Sequence, residues 1–398
     1  MTSKSVRAIA FYLPQFHPIP ENDVWWGKGF TEWTNVAKAR PLFRGHYQPH
    51  LPADLGFCDL RLAETREAQA KLARQYGIDG FCYYHYWFSG KRLLHRPFDA
   101  VLTSGRPNFP FCLCWANENW TRIWDGGDSE VLVEQTYSEQ DDRAHIRWLA
   151  RAFTDPRYIR VGDKLLFLVY RAASIPDPPR TTSIWREEAR ELGLGELYLC
   201  RVESFADERQ HPGCLGFDAA VEFQPDWSSL GAPLGSRGLR HSRWNDLRFF
   251  LRRKFFGDTT NVQHYAHLVS SMSRRALPRY PRFPCITPWW DNSPRRRHGA
   301  IVFIESSPAL FQQWAANMLA KLENSPNTPP ILFINAWNEW AEGNHLEPDQ
   351  RYARSYLEAL RDALQSVDGR RLPASLCHHA RAVSAYRSAG RAPGIAGP

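Results

Sequence analysis

Two glutamates three residues apart lie near the end of the chain, in a segment rich in tryptophan and asparagine. Glu339 and Glu342 belong to Asn-Ala-Trp-Asn-Glu-Trp-Ala-Glu-Gly, residues 335–343. If Glu339 opens a helical turn, this spacing puts both carboxylates on one face, with Cβ atoms roughly 5–6 Å apart. Retaining hydrolysis of a glycosidic bond uses two carboxyl groups roughly 5–5.5 Å apart, one of them protonated, and two close like charges raise the pKa of one member. The alternative is that the pair only decorates a helix N-terminus, where the dipole favours acids, but its aromatic and amide neighbours favour catalysis.

Side chains of matching chemistry follow the other predicted strands. Amides, carboxylates, histidines and aromatic planes recur there, and the chain has 16 tryptophans. A sugar presents hydroxyls at its ring edge and C–H groups on its faces, and this set of side chains can bind both. The alternative is a hydrophobic core whose tryptophans extend to the strand ends, which explains a single tryptophan but not the whole set. We predict Glu339 and Glu342 as catalytic residues, and as substrate-binding residues His17, His85, Tyr86, Trp115, Asn117, Glu118, Trp120, Trp290, Asp291, Asn338 and Trp340. At least two of Trp115, Trp120, Trp290 and Trp340 are expected to line the cleft.

Eight short apolar runs predict the strands that must position these side chains. Most are nearly continuous, as expected for parallel strands covered on both faces. Helical patterns lie between them, which indicates an α/β fold, a (β/α)₈ TIM-like barrel with long strand-end loops. An open doubly wound sheet is the alternative, but no Gly-x-Gly-x-x-Gly follows the first strand. The runs are Arg7–Tyr12, Gly80–Tyr84, Phe111–Trp115, Leu165–Tyr170, Leu197–Arg201, Ala219–Phe223, Cys285–Thr287 and Ile331–Ala336.

The segments between the strands predict helices and functional loops. The helices are Leu60–Tyr76 after an N-capping Asp59, Ser138–Phe153 with Ser138 as its cap, Thr182–Leu192, Pro308–Leu322 and Tyr352–Leu364. Three oversized segments, 14–59, 116–137 and 224–283, follow the first, third and sixth strands. In a barrel, the loops that leave the C-terminal strand ends build the active site. We predict one catalytic domain over residues 1–370 and a disordered tail over 371–398.

The composition is that of a globular protein. The 398 residues include 50 Lys and Arg against 42 Asp and Glu, a formal net charge of +8, with 43% hydrophobic and 23% charged residues. No apolar run approaches the roughly 20 residues of a membrane span, and the apolar stretch at 9–13 is too short for a secretory signal. We therefore expect a cytoplasmic protein. Five of the eight cysteines fall in apolar strands, which predicts buried free thiols rather than disulfides.

Several motifs resemble a known family. They include Phe-Tyr-Leu-Pro-Gln-Phe-His-Pro at 11–18, Trp-Trp-Gly-Lys-Gly-Phe-Thr-Glu-Trp-Thr-Asn at 25–35 and Gly-His-Tyr-Gln-Pro-His-Leu-Pro at 45–52. With 80–87, 115–120 and Trp-Asn-Glu-Trp-x-Glu-Gly at 337–343, they are similar to the WbsX family over about residues 6–365. Members are commonly encoded with bacterial O-antigen and capsule genes and carry a glycosyltransferase label. WbsX proteins are in turn similar to glycoside hydrolase family 99, retaining endo-α-mannosidases on a (β/α)₈ barrel.

The resemblance to family 99 implies a role for each glutamate. The family motif Asn-Glu-Trp-His-Glu-Gly matches residues 338–343, with Ala341 in place of the histidine. In that family the first glutamate assists attack by the sugar's own 2-hydroxyl, which gives a 1,2-anhydro sugar. The second is the general acid and then the base. Carried over, Glu339 takes the first role and Glu342 the second.

The resulting hypothesis is a retaining endo-acting glycosidase, endo-α-mannosidase-like, or a transglycosylase. Its substrate would be a bacterial surface polysaccharide or the lipid-linked precursor of one. The first alternative is a glycosyltransferase of O-antigen, capsule or lipopolysaccharide biosynthesis, although Asp125-Gly-Gly-Asp128 has the wrong spacing for an acidic metal-binding motif. The second alternative is a non-catalytic glycan-binding protein, in which the carboxylates only hydrogen-bond sugar hydroxyls.

Other charged clusters carry weaker signals. His46, His50 and His85 were considered with Glu118 as a metal site, but no pair has a local ligand spacing, so we predict no metal and no cofactor. Residues 295–297 are three consecutive arginines, which are typical of a solvent-exposed surface. The alternative is that they bind an anionic sugar or a diphosphate. No nucleic-acid-binding motif accompanies the positive charge, and we predict no nucleic-acid partner.

One basic segment suggests a membrane contact. Arg237–Phe256 holds seven cationic residues against one acid, with Trp244, Leu247, Leu251 and Phe255 at helical spacing. A basic amphipathic helix can lie in an anionic membrane interface. The alternative is a barrel helix whose apolar stripe packs on the sheet. We keep weak peripheral binding at the inner membrane face as a hypothesis, because a lipid-linked substrate would place the enzyme there.

Overall fold

The computed structural model describes residues 6–122, 127–234, 251, 259–296 and 298–368. Its central sheet contains nine strands: β1 (Arg7–Tyr12), β2 (Gly80–Phe88), β3 (Phe111–Trp115), β4 (Lys164–Val169), β5 (Leu197–Glu203), β6 (Ala219–Glu222), β7 (Arg282–Phe283), β8 (Cys285–Ile286) and β9 (Ile331–Ile334). Their spatial order is β7-β6-β5-β4-β3-β2-β1-β9-β8. Every neighbouring pair in this order is parallel.

The two ends of this sheet are consecutive in the chain. Only Pro284 separates β7, which pairs with β6, from β8, which pairs with β9. Proline has no backbone N–H and interrupts a ladder, but the Pro284 carbonyl still accepts a 2.9 Å hydrogen bond from the backbone nitrogen of Phe333. The sheet is therefore a nearly closed barrel, and the predicted TIM-like architecture is confirmed. The seventh predicted strand, at 285–287, corresponds to β8. Together with β7 it forms one barrel strand that Pro284 interrupts.

The strands are buried on both faces, which explains their continuous apolar runs. Residues 8–11, 165–169 and 331–334 have no solvent exposure. Inside the barrel the Phe11 ring lies 5.6 Å from that of Tyr84 and 5.5 Å from that of Phe333. It also meets the Phe223 ring edge-on at 5.4 Å, so β1 contacts opposite walls. The five strand cysteines are buried and free, as predicted: Cys82, Cys112, Cys114, Cys200 and Cys285.

Nine α-helices accompany the strands within the described ranges. They are α1 (Pro20–Trp26), α2 (Glu32–Lys38), α3 (Ala63–Gln75), α4 (Arg96–Ser104), α5 (Glu139–Phe153), α6 (Pro178–Glu191), α7 (Tyr265–Arg274), α8 (Pro308–Glu323) and α9 (Ser355–Asp368). Helices α1 and α2 lie in the long segment after β1, which carries part of the cleft wall. After β5 the chain forms short 3₁₀ turns at Ala206–Glu208 and Pro212–Leu215 in place of an α-helix.

Two predicted helix caps have different outcomes. Ser138 caps α5 as predicted, because its hydroxyl accepts a 3.1 Å hydrogen bond from the backbone nitrogen of Asp141. Asp59 does not cap α3, which begins at Ala63. The Asp59 carboxylate instead accepts from the backbone and side chain of Arg61, so the chain makes a turn before the helix starts.

Short strands extend the loops around the barrel. Lys91–Leu93 pairs with β2 and Arg160–Val161 with β4, while Trp120–Arg122 and Gly127–Val133 form a hairpin. Asn261–His264 pairs with Ile301–Ile304, and Asn338–Glu339 with Asn344–His345. In the ranges given above, no helix has the length and apolarity needed to cross a bilayer. The acidic motif at 125–128, the basic segment 237–256 and the tail from 371 fall wholly or mainly outside those ranges.

Candidate active site

A cleft of about 690 Å³ opens where the barrel strands end. Its wall comes from residues at or just beyond the C-terminal ends of β1, β2, β3, β4, β6, β8 and β9, as expected for a barrel enzyme. This volume lies within the range of ordinary ligand sites. The lining includes Leu13, Gln15, Trp26, Tyr84, Tyr86, Asn117, Glu118, Trp120, Tyr137, Tyr170, Arg171, Phe223, Trp290, Arg295, Glu339 and Glu342.

Glu339 and Glu342 lie on a tight turn that follows β9. Glu339 ends a short strand, and Trp340–Glu342 form one turn of 3₁₀-helix, in which side chains three apart line up. The turn ends at Gly343, whose φ of 58° is left-handed. A Cβ on Gly343 would lie 3.1 Å from the Cβ of Asp291 and 3.2 Å from its backbone nitrogen. Both the backbone conformation and the close approach therefore require glycine.

One guanidinium joins the two carboxylates. Arg295 donates from Nη2 to Glu339 at 2.8 Å and from Nη1 to Glu342 at 2.7 Å. Its Nε donates to Glu32 of α2 at 2.7 Å, and the Glu32 side chain is completely buried. Arg295 therefore does not lie on a solvated face, as its place in a run of three arginines suggested. Its side chain turns inward because three carboxylates meet it in the cleft wall.

The electrostatics of this group favour a shared proton. Burial raises the pKa of Glu339 to about 8, with repulsion from Glu342 and Glu32 adding to it and Arg295 opposing it. Burial also raises the pKa of Glu342, again against Arg295. Two carboxyl groups that interact so closely titrate as a pair. Near neutral pH we expect one proton on the pair, which leaves one acid and one base.

Asn338 and Trp340, predicted to bind substrate, lie behind the cleft wall. The Asn338 amide accepts from the backbone nitrogen of Leu13 at 2.7 Å and donates to its carbonyl at 2.9 Å. The Trp340 ring stacks on His345 at 3.7 Å, and its Nε1 donates to Glu347 at 2.6 Å. These contacts fix the carboxylate turn against the end of β1. In this structure both residues position the turn.

Asp291 supports the same turn from the other side. Its backbone nitrogen donates to the carbonyl of Glu342 at 2.6 Å. Its carboxylate accepts from His46 at 2.6 Å and from Gln48 at 2.7 Å. His46 Nδ1 accepts from the backbone nitrogen of Leu42 at 2.9 Å, which leaves Nε2 to donate to Asp291. Asp291, also predicted to bind substrate, is completely buried and does not line the cleft.

Three of the predicted aromatic residues face the cleft. Trp120 meets the ring of Tyr86 edge-on at 5.3 Å, on the wall near α1. Trp290 packs edge-on against Trp227 at 5.2 Å on another part of the wall. Two of the four tryptophans expected at the cleft, Trp120 and Trp290, thus line it. Trp120 is half-buried and offers part of its ring plane to a sugar, whereas Trp290 is 5% exposed and presents only a small part of its ring.

Two predicted polar residues also line the cleft. Asn117 accepts from the backbone nitrogen of Arg171 at 2.8 Å and donates to the Tyr137 hydroxyl at 3.1 Å. Glu118 pairs with the Arg171 guanidinium at 3.3 Å. A second carboxylate, that of Glu208, forms an ion pair with the same guanidinium at 2.9 Å. Both arginines of the cleft wall are therefore held by carboxylates.

The remaining predicted residues are buried away from the cleft. Burial lowers the pKa of His17 to about 4, so this ring is neutral. His85 lies in β2, which runs on to Phe88, and its Nε2 is 3.0 Å from Nε2 of His145. Trp115 donates from Nε1 to the Trp87 carbonyl at 3.0 Å. Because side chains alternate along a strand, Tyr86 faces the cleft while its neighbour His85 packs under α5.

Two residues of the site, Glu32 and Tyr84, were not predicted from the sequence. Tyr84 and Tyr86 are two residues apart in β2 and therefore lie on the same face of the strand. A strand predicted to continue to Phe88 would have placed both in the cleft. Glu32 gives no local signal, because its partner Arg295 is 263 positions away.

One cluster in the described part of the chain offers several metal-ligand atoms. Atoms of His50, His345 and Asp349 lie within 4.8 Å of one another. Hydrogen bonds account for the arrangement: His345 Nδ1 donates to the Glu347 carbonyl at 2.9 Å, and its Nε2 accepts from His50 Nδ1 at 3.0 Å. Asp349 accepts from two backbone N–H groups of the next turn. The histidines considered with Glu118 as a metal site have separate partners, namely Asp291 for His46, His345 for His50 and His145 for His85.

The chain matches the model of the family described as glycosyltransferase WbsX over residues 8–360. Two curated relatives from strains of Xanthomonas campestris pv. campestris, each described as uncharacterized protein WxcX, are 46% identical over 357 residues. The match covers 89% of this chain and 49% of each relative. The chain thus spans about half the length of the curated relatives it matches.

Solved structures resemble this one in fold. One, described as a glycoside hydrolase-like protein, has a TM-score of 0.56 at 14% identity and covers 92% of this chain and 95% of its own. The family 99 endo-α-mannosidase of Bacteroides thetaiotaomicron has a TM-score of 0.54 at 12% identity, over 92% of this chain and 99% of its own. At these identities the likeness establishes the barrel fold.

Proposed function

The chain belongs to the WbsX family, a family of glycan-active enzymes, and on that premise we propose that its cleft cleaves a glycosidic bond with Glu339 and Glu342. One observation carries the proposal. Both carboxylates lie in the wall of the cleft and are held by the same guanidinium, within 2.8 Å of its nitrogens. Burial raises both pKa values, that of Glu339 to about 8, so the pair holds one proton near neutral pH. The reaction starts from the state of the pair in which this proton lies on Glu342.

The proposed reaction has two steps. In the first, Glu339 accepts the proton of a sugar 2-hydroxyl as O2 attacks C1, and Glu342 gives its proton to the leaving glycosidic oxygen. The C1–O2 bond forms as the glycosidic bond breaks, which yields a 1,2-anhydro sugar. In the second, Glu342 takes the proton of the water or acceptor hydroxyl that attacks C1. The C1–O2 bond breaks as the new bond to C1 forms, and Glu339 returns its proton to O2. Two inversions at C1 retain the configuration.

The exposure of the two side chains supports this division of roles. Glu342 keeps 21% of its side-chain surface accessible and Glu339 only 7%. The general acid and base must meet a departing glycan and an incoming acceptor, so the more accessible carboxyl suits that role. The more enclosed carboxyl suits a partner for a hydroxyl of the bound sugar itself.

The proposed substrate is an internal bond of a bacterial surface polysaccharide or of its lipid-linked precursor. The cleft volume of about 690 Å³ and its separate aromatic walls at Trp120 and Trp290 suit several sugar rings. Endo-action and an endo-α-mannosidase-like specificity are part of the proposal.

Glutamine substitution tests the proposal. The purified full chain is incubated with α-mannooligosaccharides and with oligosaccharides from bacterial surface polysaccharides, and products are identified by mass spectrometry in ¹⁸O water. We expect Glu339→Gln and Glu342→Gln to lower turnover by roughly 10²–10⁴-fold. Glu323→Gln on the exposed side of α8 is the control and should keep full activity. Near-wild-type turnover by Glu342→Gln would refute the assignment.

A nucleotide-sugar transferase is the second candidate, because the description of the family names that class. The cleft arginines that would meet a diphosphate, Arg171 and Arg295, are each bound by carboxylates. Release of nucleotide from a nucleotide sugar, without cleavage of any oligosaccharide, would favour the transferase. Binding of an oligosaccharide with no product from either reaction would favour a non-catalytic glycan-binding protein.

A further inference from the structure

A second cavity, of about 260 Å³, lies beside the turn that carries the two glutamates. It is enclosed by residues 43–47, by Trp289 and Asp291 after β8, and by residues 303–306 and 351–352. It shares no lining residue with the cleft. Asp291 nevertheless links the two, because its side chain borders this cavity while its backbone nitrogen holds the carbonyl of Glu342.

Aromatic rings form one wall of this second cavity. The rings of Tyr47 and Trp289 lie 5.9 Å apart at an inclination of 31°. The Tyr352 ring lies 5.8 Å from that of Trp289. Such a wall presents flat apolar surface with polar edges, which suits the C–H face of one sugar ring.

Two arginines of the cavity have no carboxylate partner in the described residues. The Arg351 guanidinium lies over the rings of Tyr47, Trp289 and Tyr352, at 4.7, 5.7 and 5.2 Å from their centroids. Arg44 is exposed at the rim. The contrast with the cleft is clear, since Arg171 and Arg295 there are bound by carboxylates. The guanidinium N–H groups of Arg351 and Arg44 are therefore available to donate hydrogen bonds to a ligand.

The acidic groups of the cavity are already engaged. Asp291 accepts hydrogen bonds from His46 and Gln48, both at 2.7 Å or less. Glu305 pairs with His264 at 2.9 Å, and its side chain is 64% exposed. The groups of the cavity that suit an anionic sugar are therefore the two guanidiniums and the aromatic planes.

We propose that this cavity is a second binding site, for a single sugar residue that bears a carboxylate or a phosphate. The volume is below the usual range for larger ligands, which limits it to about one ring. Arg351, which lies over the aromatic rings, would take the anionic group together with Arg44 in charge-assisted hydrogen bonds. The sugar ring would pack on the part of the aromatic wall that the guanidinium leaves uncovered. The site is distinct from the cleft, so it does not depend on the reaction proposed above.

Titration of four small probes into the full chain tests the site. The probes are methyl glucuronide, glucose 1-phosphate, methyl glucoside and inorganic phosphate, followed by calorimetry. We expect methyl glucuronide or glucose 1-phosphate to bind at least 10-fold more tightly than both methyl glucoside and inorganic phosphate. Comparison of methyl glucuronide with glucose 1-phosphate shows whether the site prefers a carboxylate or a phosphate on the sugar. Equal affinity for the charged and uncharged sugars, or for phosphate alone, would overturn the proposal.

Substitutions locate the binding in this cavity. Arg351→Gln and, separately, Arg44→Gln should weaken binding of the charged sugar roughly 10-fold or more, since each removes a charged hydrogen-bond donor. Arg44 is exposed, and its side chain has no hydrogen bond or ion pair with the residues that the structure describes, so its variant keeps the test valid if Arg351→Gln is unstable. Arg354→Gln, which removes a nearby cation outside the cavity, and Glu342→Gln should leave the affinity unchanged. Undiminished binding by both cavity variants, or loss of binding in Glu342→Gln, would show that the cavity is not the site.

Discussion

Glu32 accepts a 2.7 Å hydrogen bond from Nε of Arg295, and so occupies the part of the guanidinium that Glu339 and Glu342 leave free. The contact joins α2, in the loop after the first strand, to the loop after β8. It gives the guanidinium a fixed orientation toward the two glutamates. It also adds a negative charge that raises the pKa of both.

Glu32→Gln should move the pH dependence of the reaction toward acid. The substitution removes a charge that raises the pKa of Glu339 and of Glu342, so the shared proton leaves at lower pH. The basic limb of kcat/KM, which reports loss of the essential proton, should fall by on the order of one pH unit. Glu323→Gln serves as the control. A basic limb that stays in place or moves upward would contradict the expectation.

Arg295→Gln should destabilise the fold, and more so as the pH rises. Without the guanidinium, the pKa values of Glu339 and Glu342 lie further above those of the unfolded chain, because Arg295 no longer opposes the effect of burial. Folding is therefore penalised once the unfolded chain releases these two protons. Removal of one partner from a buried ion pair typically costs about 3–5 kcal/mol, less where the remaining groups take up protons. Urea unfolding at pH 5 and at pH 8 measures the difference, with Arg295→Lys as the charge-preserving comparison. The same loss at both pH values would rule out this electrostatic account.

The tryptophans should separate into two groups on substitution by alanine. Trp120 and Trp290 line the cleft, so their loss should weaken glycan binding by roughly 1–3 kcal/mol, on the scale of base–aromatic stacking. Trp115 and Trp340 are each only 1% exposed, so their loss should cost about 3–5 kcal/mol of folding free energy. Thermal melts beside binding titrations decide the matter. A pure stability loss in all four variants would assign every one of them to the core.

Gly343→Ala should impair catalysis more than a matched glycine elsewhere. Gly343 has a φ of 58° and Gly56 a φ of 61°, so alanine pays a similar backbone cost of about 1–2 kcal/mol at each. Only at Gly343 does the new Cβ meet Asp291, at 3.1 Å, whereas nothing lies within 4 Å at Gly56. Turnover and urea unfolding of Gly343→Ala and Gly56→Ala measure the difference. Similar activity in the two variants would show that the contact with Asp291 does not hold the turn.

The basic segment 237–256 should give weak, salt-sensitive binding to anionic membranes. Each cation near such a surface contributes about 1 kcal/mol. Sedimentation with anionic and with neutral liposomes, at low and moderate salt, measures the binding. Neutralising Arg252, Arg253 and Lys254 should abolish the difference between the lipids. Equal pelleting on both lipids would remove the hypothesis.

Strand positions could be predicted from sequence because burial on both faces leaves an apolar run with clear ends. β1 and β3 were predicted to the residue. The helix after Asp59 was predicted, but it begins at Ala63 rather than Leu60, because a local Asp–Arg contact competes with capping and sequence does not show which one forms.

The catalytic turn could be found from its motif, but the orientation of its neighbours could not. Asn338 and Trp340 have the same residue types as true sugar contacts, and only the three-dimensional turn shows that they face away from the cleft. The contact between Glu32 and Arg295 depends on how two distant loops meet. A single sequence carries no local periodicity that reports such a meeting.

The position of β9 has a consequence for any shortened form of this chain. β9 is the last barrel strand in the described sequence, yet it pairs with β1 on one side and with β8 on the other. A chain truncated before residue 331 would therefore expose two unpaired strand edges, one on β1 and one on β8, and such edges promote aggregation. The same truncation removes the turn that bears both glutamates. During synthesis more than 300 residues separate β1 from its second neighbour, so this edge of β1 stays unpaired until β9 has been made.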